Sequence, residues 1–258
     1  MRVLVTFAVA AEFAPWRKLR VFHARIWNPS QGSGGTQVQE AEIGGHTVCI
    51  YLTGMGIQCF DSQVASNAKA IGVDAVISSG LAGSLNPKYG PLTVVAPRRV
   101  GTLKNSTGLT VSKSLLELAG KRGATLVDGL LCSDRIIDSR EEKTRLSPFA
   151  DTVDMESFHV VQEFVSQQIP VAVIRAISDG SEEELPVDFE KCLTAEGSIK
   201  VVPLLKDLAR QPGKIPALIR FGKQSKAAAE KLTKFLDEYI QALNLEVLND
   251  RVVEAVNE

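Results

Sequence analysis

The sequence predicts an α/β fold, a three-layer αβα sandwich with helices on both faces of a central mixed, largely parallel β-sheet. Short strands rich in valine and isoleucine alternate with helical segments along most of the chain, the pattern of crossover-connected sheets. The chain has 258 residues, of which 45% are hydrophobic, enough for one sizeable core. No internal repeat and no linker rich in proline or glycine marks a second fold.

The first half of the chain alternates strands and helices around glycine-rich breaks. Residues 28–36 (NPSQGSGGT) are typical of a surface loop or hairpin tip, and Gly44-Gly45 is typical of a tight hairpin turn. Glycines at 54 and 56, and again at 80 and 83, are interpreted as turns after strands. The predicted elements are strand 2–9, helix 10–20, strands 37–43 and 47–52, helix 59–70 and strand 75–79.

The second half continues the alternation and ends in helix. The predicted elements are strand 92–97, helix 113–121, strand 125–132, a strand end running into helix over 151–168, and strand 171–178. We divide the chain into a catalytic domain, 1–205, and a helical C-terminal extension, 206–258, packed on it. Within the extension, residues 217–243 mix apolar positions with lysines. This pattern favours a surface helix docked by one apolar stripe over a segment that contacts a membrane or a lipidic substrate.

Composition excludes several classes of protein. The net charge of -1 argues against a nucleic-acid partner, because no basic excess exists to neutralise phosphates. Four scattered cysteines without a CxxC pair indicate neither a zinc site nor a disulfide framework, and His23 and His46 have no ligand-type neighbours. The apolar N-terminal run is short and broken by Glu12, which favours a first strand over a signal peptide. We expect a cytoplasmic protein without metal or cofactor.

Three acidic residues fall where a predicted strand meets a helix: Glu12, Glu156 and Asp179. Backbone N–H groups at helix starts are unpaired, so small polar ligands settle there, and open α/β sheets bind ligands at strand ends. Each carboxylate alone would more often be a cap or a solvated charge. Three of them, with glycine turns at other strand ends, indicate one crevice. Neither glycine turn has the full G-x-G-x-x-G form of a dinucleotide site.

Six blocks in this order resemble the nucleoside phosphorylase/nucleosidase superfamily, and within it the methylthioadenosine/S-adenosylhomocysteine nucleosidases. They extend over residues 2–193, and the pair DMES and RAISD is the most specific part. The blocks are FAVAAEF around Glu12, TGMG at 53–56, SSGLAGSL at 78–85, GLLCSD at 129–134, TVDMES at 152–157 and RAISD at 175–179.

The resemblance implies a nucleosidase that cleaves the N-glycosidic bond of a 5′-substituted adenosine and releases adenine. By this analogy Asp179 is the general acid that protonates N7 of the purine, which requires that burial keep its carboxyl protonated near neutral pH. Ser178 orients Asp179, and Glu12 activates the attacking water. Glu156 binds the ribose hydroxyls, with Met155 beneath the ribose.

The same resemblance places further residues in the substrate-binding site and implies a homodimer. Ile136 stands where relatives carry an aromatic side chain that stacks on the purine, so base preference is expected to differ. The predicted lining, beyond the residues already named, consists of Met55, Leu81, Ala82, Gly83, Ile136, Ile137 and Val153.

Three alternatives stay open at this point. A phosphorylase would use phosphate, which needs cationic side chains, and the SSGLAGSL segment lacks an arginine where phosphorylase relatives often carry one. A connection from 98 to 110 that looks short, together with the helical tail, resembles the hopanoid-associated branch, which acts on a lipid-linked adenosine. A non-catalytic nucleoside-binding protein is disfavoured, because binding alone does not need both Glu12 and Asp179.

Overall fold

The computed structural model describes residues 1–27, 35–56, 61, 63–105, 108–186 and 212–248. The strands are β1 (Arg2–Phe7), β2 (His23–Trp27), β3 (Thr36–Ile43), β4 (His46–Leu52), β5 (Ala75–Ser84), β6 (Val94–Gly101), β7 (Leu109–Thr110), β8 (Thr125–Cys132), β9 (Thr152–Asp154) and β10 (Val171–Asp179). The α-helices are α1 (Ala10–Leu19), α2 (Gln63–Ala70), α3 (Lys113–Lys121), α4 (Arg140–Leu146), α5 (Ser157–Ser166), α6 (Ile215–Gln241) and α7 (Leu245–Leu248).

All ten strands belong to one mixed sheet. The order is β10-β6-β8-β9-β5-β1-β4-β3-β2, with β7 beside β6, and β10 also pairs with β5. Strands β4, β1, β5 and β10 run parallel to one another, as do β6, β8 and β9, whereas the remaining pairs are antiparallel. The predicted α/β class with a mixed sheet is confirmed. The closure of β10, β6, β8, β9 and β5 into a ring was not predicted.

Strand β5 is longer than predicted, and this corrects the interpretation of residues 80–83 as a turn. Its C-terminal half pairs with β10 as far as Gly83, opposite Asp179, and then with β9. The backbone groups of these glycines are therefore used in the sheet. Glycine composition predicted a turn because it reports local freedom only, whereas pairing with two distant strands decides the conformation.

Other departures concern short or weakly patterned segments. Strands β2 and β7 and helix α4 were not predicted. The hairpin between β3 and β4 was predicted correctly: Gly44 and Gly45 have φ of 61° and 79°, as a type I′ turn requires. Most of the predicted loop at 28–36 and the start of the helix predicted at 59 lie outside the described residues.

Helix α6 packs on the sheet by one apolar stripe and covers β10. The stripe comprises Leu232, Phe235, Leu236, Tyr239 and Ile240. Near its end Asp237 accepts hydrogen bonds from Trp16 Nε1 and from Arg20, which ties α6 to α1. Within the described part of the chain, no helix combines the length and the apolar character that a membrane span requires.

Candidate active site

Glu12 connects the end of β1 to the neighbouring strand β5. It lies in the first turn of α1, where its Oε2 accepts hydrogen bonds from the N–H groups of Ala8 (3.0 Å) and Val9 (3.3 Å). Its Oε1 accepts from the N–H of Leu81 at 2.8 Å. A Cβ atom on Gly80 would lie 3.0 Å from this oxygen, and Gly80 has φ of +150°. Glycine is therefore needed where β5 passes the carboxylate.

Burial dominates the electrostatics of Glu12. The residue is 8% exposed, and burial raises its pKa from the ordinary value of 4.5. The Leu81 N–H and the charge of Arg175 oppose this rise but do not cancel it. A carboxylate with a raised pKa takes up a proton more readily, which is what a general base near neutral pH requires.

Glu156 lies beside this group, on the residue that precedes α5. Its Oε1 accepts a hydrogen bond from the N–H of Gly56 at 2.9 Å. Burial and the charge of Asp154 raise the pKa of Glu156 to about 8, and the charge of Glu12 contributes to the rise. The Cε of Met155 would lie 3.6 Å from a Cβ on Gly56. The segment after β4 and the start of α5 therefore face each other.

A buried arginine underlies both glutamates. Arg175, on β10, is 1% exposed, and its Nε donates to Asp154 Oδ2 at 2.8 Å. Its Nη2 donates to the hydroxyls of Ser157 (2.8 Å) and Ser78 (3.0 Å). Burial raises the pKa of both glutamates, and the positive charge of Arg175 opposes this rise. Sequence reasoning did not assign a role to Arg175, although a lone cation inside an apolar strand was a usable signal.

Asp179 ends β10 and adjoins β5 further along. Its Oδ1 accepts a hydrogen bond from Ser178 Oγ at 2.6 Å, and its Oδ2 accepts from Lys143 Nζ at 2.5 Å. A Cβ on Gly83 would lie 3.1 Å from Oδ2 and 3.3 Å from Val153 Cγ1. Lys143 was missed entirely, because a lysine within REEKTR is typical of an exposed face, yet its side chain is fully buried.

The two predicted catalytic carboxylates thus line the same stretch of β5. Glu12 contacts this strand at Leu81 and Asp179 contacts it at Gly83. Two residues of extended strand separate these points by about 7 Å. The two carboxylates reach β5 from different neighbouring elements, Glu12 from the start of α1 after β1 and Asp179 from β10.

The remaining predicted residues fall around this strand to different degrees. Leu81, Ala82 and Gly83 belong to β5, and the Ala82 carbonyl oxygen lies 3.3 Å from Ser178 Oγ. Ile137 packs with Val153 in a small buried cluster. Met55 and Ile136 are partly buried in the connections that follow β4 and β8. The substrate-binding roles assigned to these residues stay predictions.

A cavity opens beside Asp179 toward α6. Its volume is about 440 Å³, within the range of small-molecule sites. Its lining includes Arg140, Glu182, Glu183, Arg220, Phe221 and Gln224, but neither Glu12 nor Glu156, so this cavity is not the space between the two predicted catalytic carboxylates. No set of three or more histidine, cysteine, aspartate or glutamate side chains suited to a metal ion occurs among the residues described.

Comparisons with known proteins identify the family. The family model described as the phosphorylase superfamily matches residues 3–241. Over 177 residues the chain is 27% identical to a 5′-methylthioadenosine/S-adenosylhomocysteine nucleosidase of Haemophilus influenzae (strain PittEE), a match that covers 60% of this chain and 77% of the relative.

Solved structures show the same fold at lower identity. The Campylobacter jejuni 5′-methylthioadenosine/S-adenosyl homocysteine nucleosidase superposes with a TM-score of 0.69 and 14% identity, covering 94% of this chain and all of that one. The native futalosine hydrolase of Helicobacter pylori strain 26695 also gives 0.69, with 18% identity over 94% of this chain and 98% of its own.

Proposed function

The chain belongs to the phosphorylase superfamily, a family of enzymes, and we propose that it is a nucleosidase that hydrolyses the N-glycosidic bond of a 5′-substituted adenosine and releases adenine. One observation carries this proposal: Glu12 and Asp179 contact the same strand, β5, two residues apart. The relatives named for nucleosidase activity support it. The residue roles below are part of the proposal.

The reaction separates charge along the glycosidic bond. As the bond between C1′ and N9 breaks, its electron pair moves into the purine and positive charge grows on the ribose. Asp179 delivers a proton to N7, so that neutral adenine leaves, while Glu12 takes a proton from the water that bonds to C1′. Glu156, once ionised, accepts hydrogen bonds from the ribose hydroxyls that strengthen as the ring becomes cationic.

Water is a better nucleophile for this site than phosphate. A phosphate dianion requires cationic side chains that are free to bind it. Arg175, the cation beside Glu12 in the described structure, already donates to Asp154, Ser78, Ser157 and the carbonyl of Ile174. A site in which the arginine is engaged and a buried carboxylate is available as base favours hydrolysis.

Base release with and without phosphate tests the proposal. Purified protein is incubated with 5′-methylthioadenosine, S-adenosylhomocysteine, futalosine and an adenosine with a long alkyl 5′ group, and base and sugar products are quantified. We expect release of adenine from the adenosine substrates at the same rate in both buffers, with free sugar as co-product. A phosphate requirement with a sugar phosphate product would make the protein a phosphorylase. Binding without release would make it a binding protein.

Several predictions from the sequence are carried forward as proposals. These are the division of the chain at residue 205, the homodimer, the cytoplasmic location and a lipid contact through the C-terminal helix. Light scattering after size exclusion checks the dimer. The long-alkyl adenosine checks the lipid-linked alternative, which requires that this substrate be cleaved faster than 5′-methylthioadenosine.

A further inference from the structure

Lys143 has an unusual position for a lysine. It lies in the middle of α4, its side chain is 0% exposed, and Nζ donates three hydrogen bonds. The acceptors are Asp179 Oδ2 at 2.5 Å, the Glu183 carbonyl at 2.7 Å and the Gly180 carbonyl at 2.9 Å. An ammonium group has three N–H donors and no acceptor, and all three are used here. The geometry therefore suits a charged ammonium group.

The partner carboxylate lies between two hydrogen-bonding groups. Both oxygens of Asp179 act as acceptors, one for Lys143 and one for the Ser178 hydroxyl. An ammonium within hydrogen-bond distance favours the ionised form of a carboxyl group. From the sequence we expected burial alone to keep the Asp179 carboxyl protonated. The structure instead pairs this carboxyl with the buried Lys143 side chain. A general acid needs a proton, and the N–H that points at Asp179 Oδ2 belongs to Lys143.

We propose that Lys143 holds the proton that Asp179 passes to the departing purine. Lys143 is thus a positioning residue that acts through Asp179. The inference rests on the proposed nucleosidase function. As the C1′–N9 bond breaks, N7 takes a proton from Asp179, which takes one from Lys143 Nζ. Asp179 ends ionised, Lys143 ends as a neutral amine, and the purine ends neutral. Solvent then returns a proton to Lys143, and Glu12 releases the proton taken from water.

The other charged groups around Lys143 and Asp179 have hydrogen-bond partners of their own or face solvent. Glu183 Oε2 accepts from the Gly180 N–H at 3.1 Å and from Gln224 Nε2 of α6 at 2.8 Å. Arg140 of α4 pairs with Glu182, both being 59% exposed, where water screens the pair. Arg220 of α6 and Glu184 line the cavity beside Asp179. Of the charged groups named here, only Lys143 and Asp179 are buried.

A purely structural role for Lys143 makes different predictions. Two of the three bonds also tie α4 to the carbonyls of Gly180 and Glu183, so a structural role would consist in holding this connection. A loosened connection would slow every substrate. Loss of a proton store would slow only substrates whose leaving group must be protonated. Nitrophenolate leaves without a proton, so 4-nitrophenyl β-D-riboside separates the two roles.

The experiment compares Lys143→Met with Arg145→Met, a control that removes an exposed cation from the same helix. Each is assayed on the adenosine that wild-type protein cleaves fastest and on 4-nitrophenyl riboside. General acid catalysis contributes roughly 10²- to 10⁴-fold, so we expect Lys143→Met to lose about 100-fold in kcat on the adenosine at alkaline pH. Its rate on the nitrophenyl riboside should be unchanged, and Arg145→Met should equal wild type on both.

Two further measurements make the inference falsifiable on the adenosine alone. In Lys143→Met the rate should recover as the pH falls, because Asp179 then takes its proton from solvent. Lys143→Arg keeps the cation and its hydrogen bonds, but a guanidinium does not release its proton, so it should not restore the rate.

Four results would overturn the inference: equal loss on both substrates, an unchanged pH profile, recovery by arginine, or no loss at all. If wild-type protein cleaves no nucleoside, the proposed function itself is wrong. Wild-type activity together with any of the four results refutes only the role of Lys143.

Discussion

The two ends of the candidate site treat their carboxylates in opposite ways. At one end, burial raises the pKa of both Glu12 and Glu156, and Arg175 counteracts the rise only in part because its hydrogen bonds go largely to Asp154 and two serines. At the other end, Asp179 is paired directly with the buried ammonium of Lys143. Burial alone raises the proton affinity of a carboxylate and needs no second charged group. In an ion pair, by contrast, the ammonium carries a proton next to the ionised carboxylate. Both groups adjoin one strand, β5.

Asp179→Asn should have the largest effect, because it removes the acid from the paired end. We expect loss of adenine release by at least about 10³-fold, with nucleoside affinity mostly retained. The substitution also leaves the Lys143 ammonium without its counter-charge, which should cost roughly 3 to 5 kcal/mol of stability. Steady-state rates, calorimetric binding and urea unfolding measure the three effects. Asp128→Asn, at an exposed site, is the matched control. Near-normal turnover by Asp179→Asn would refute the general-acid role.

Glu12→Gln should lower the rate of adenine release by about 10²-fold, because it removes the group that takes the proton from water. The nature of the loss distinguishes the two ends. Activation of water is needed whatever group departs, so Glu12→Gln should slow the adenosine and the nitrophenyl riboside equally. Glu117→Gln, which is 54% exposed on α3, provides the control. A loss confined to the adenosine would place Glu12 at the leaving group rather than at the nucleophile.

Glu156→Gln should have the smallest of the three effects. The effect to measure is the change in the free energy of unfolding with pH. The pKa of Glu156 in the folded protein is about 8 against 4.5 for the free side chain. Ionisation therefore disfavours the folded state: the contribution of Glu156 to stability is fully present below about pH 4.5 and is lost as the pH rises through 8. Glutamine does not ionise, so the variant should gain stability relative to wild type as the pH rises across this window. Urea midpoints at several pH values measure this difference, and a constant difference would contradict the raised pKa.

Local sequence signals were sufficient to predict the strands and helices near the three acidic residues. Asp179 ends β10, and Glu12 and Glu156 lie where β1 and β9 lead into α1 and α5, at strand-to-helix connections that apolar patterning predicted. Strand β5 was predicted too short, because its glycines indicate freedom locally while its pairing partners lie far away in the chain. Helix α4 was missed because its seven residues are mostly charged.

The sequence by itself determined the fold class, the family and the identity of the candidate acids, since these depend on residue order and short-range patterning. Only the tertiary structure decided which charged side chains are buried and which groups they contact. Lys143 meets Asp179 across 36 residues, and Arg175 meets Ser78 across 97. The protonation of a carboxyl group depends on the groups within a few ångströms of it, and folding brings those groups together from separate parts of the chain.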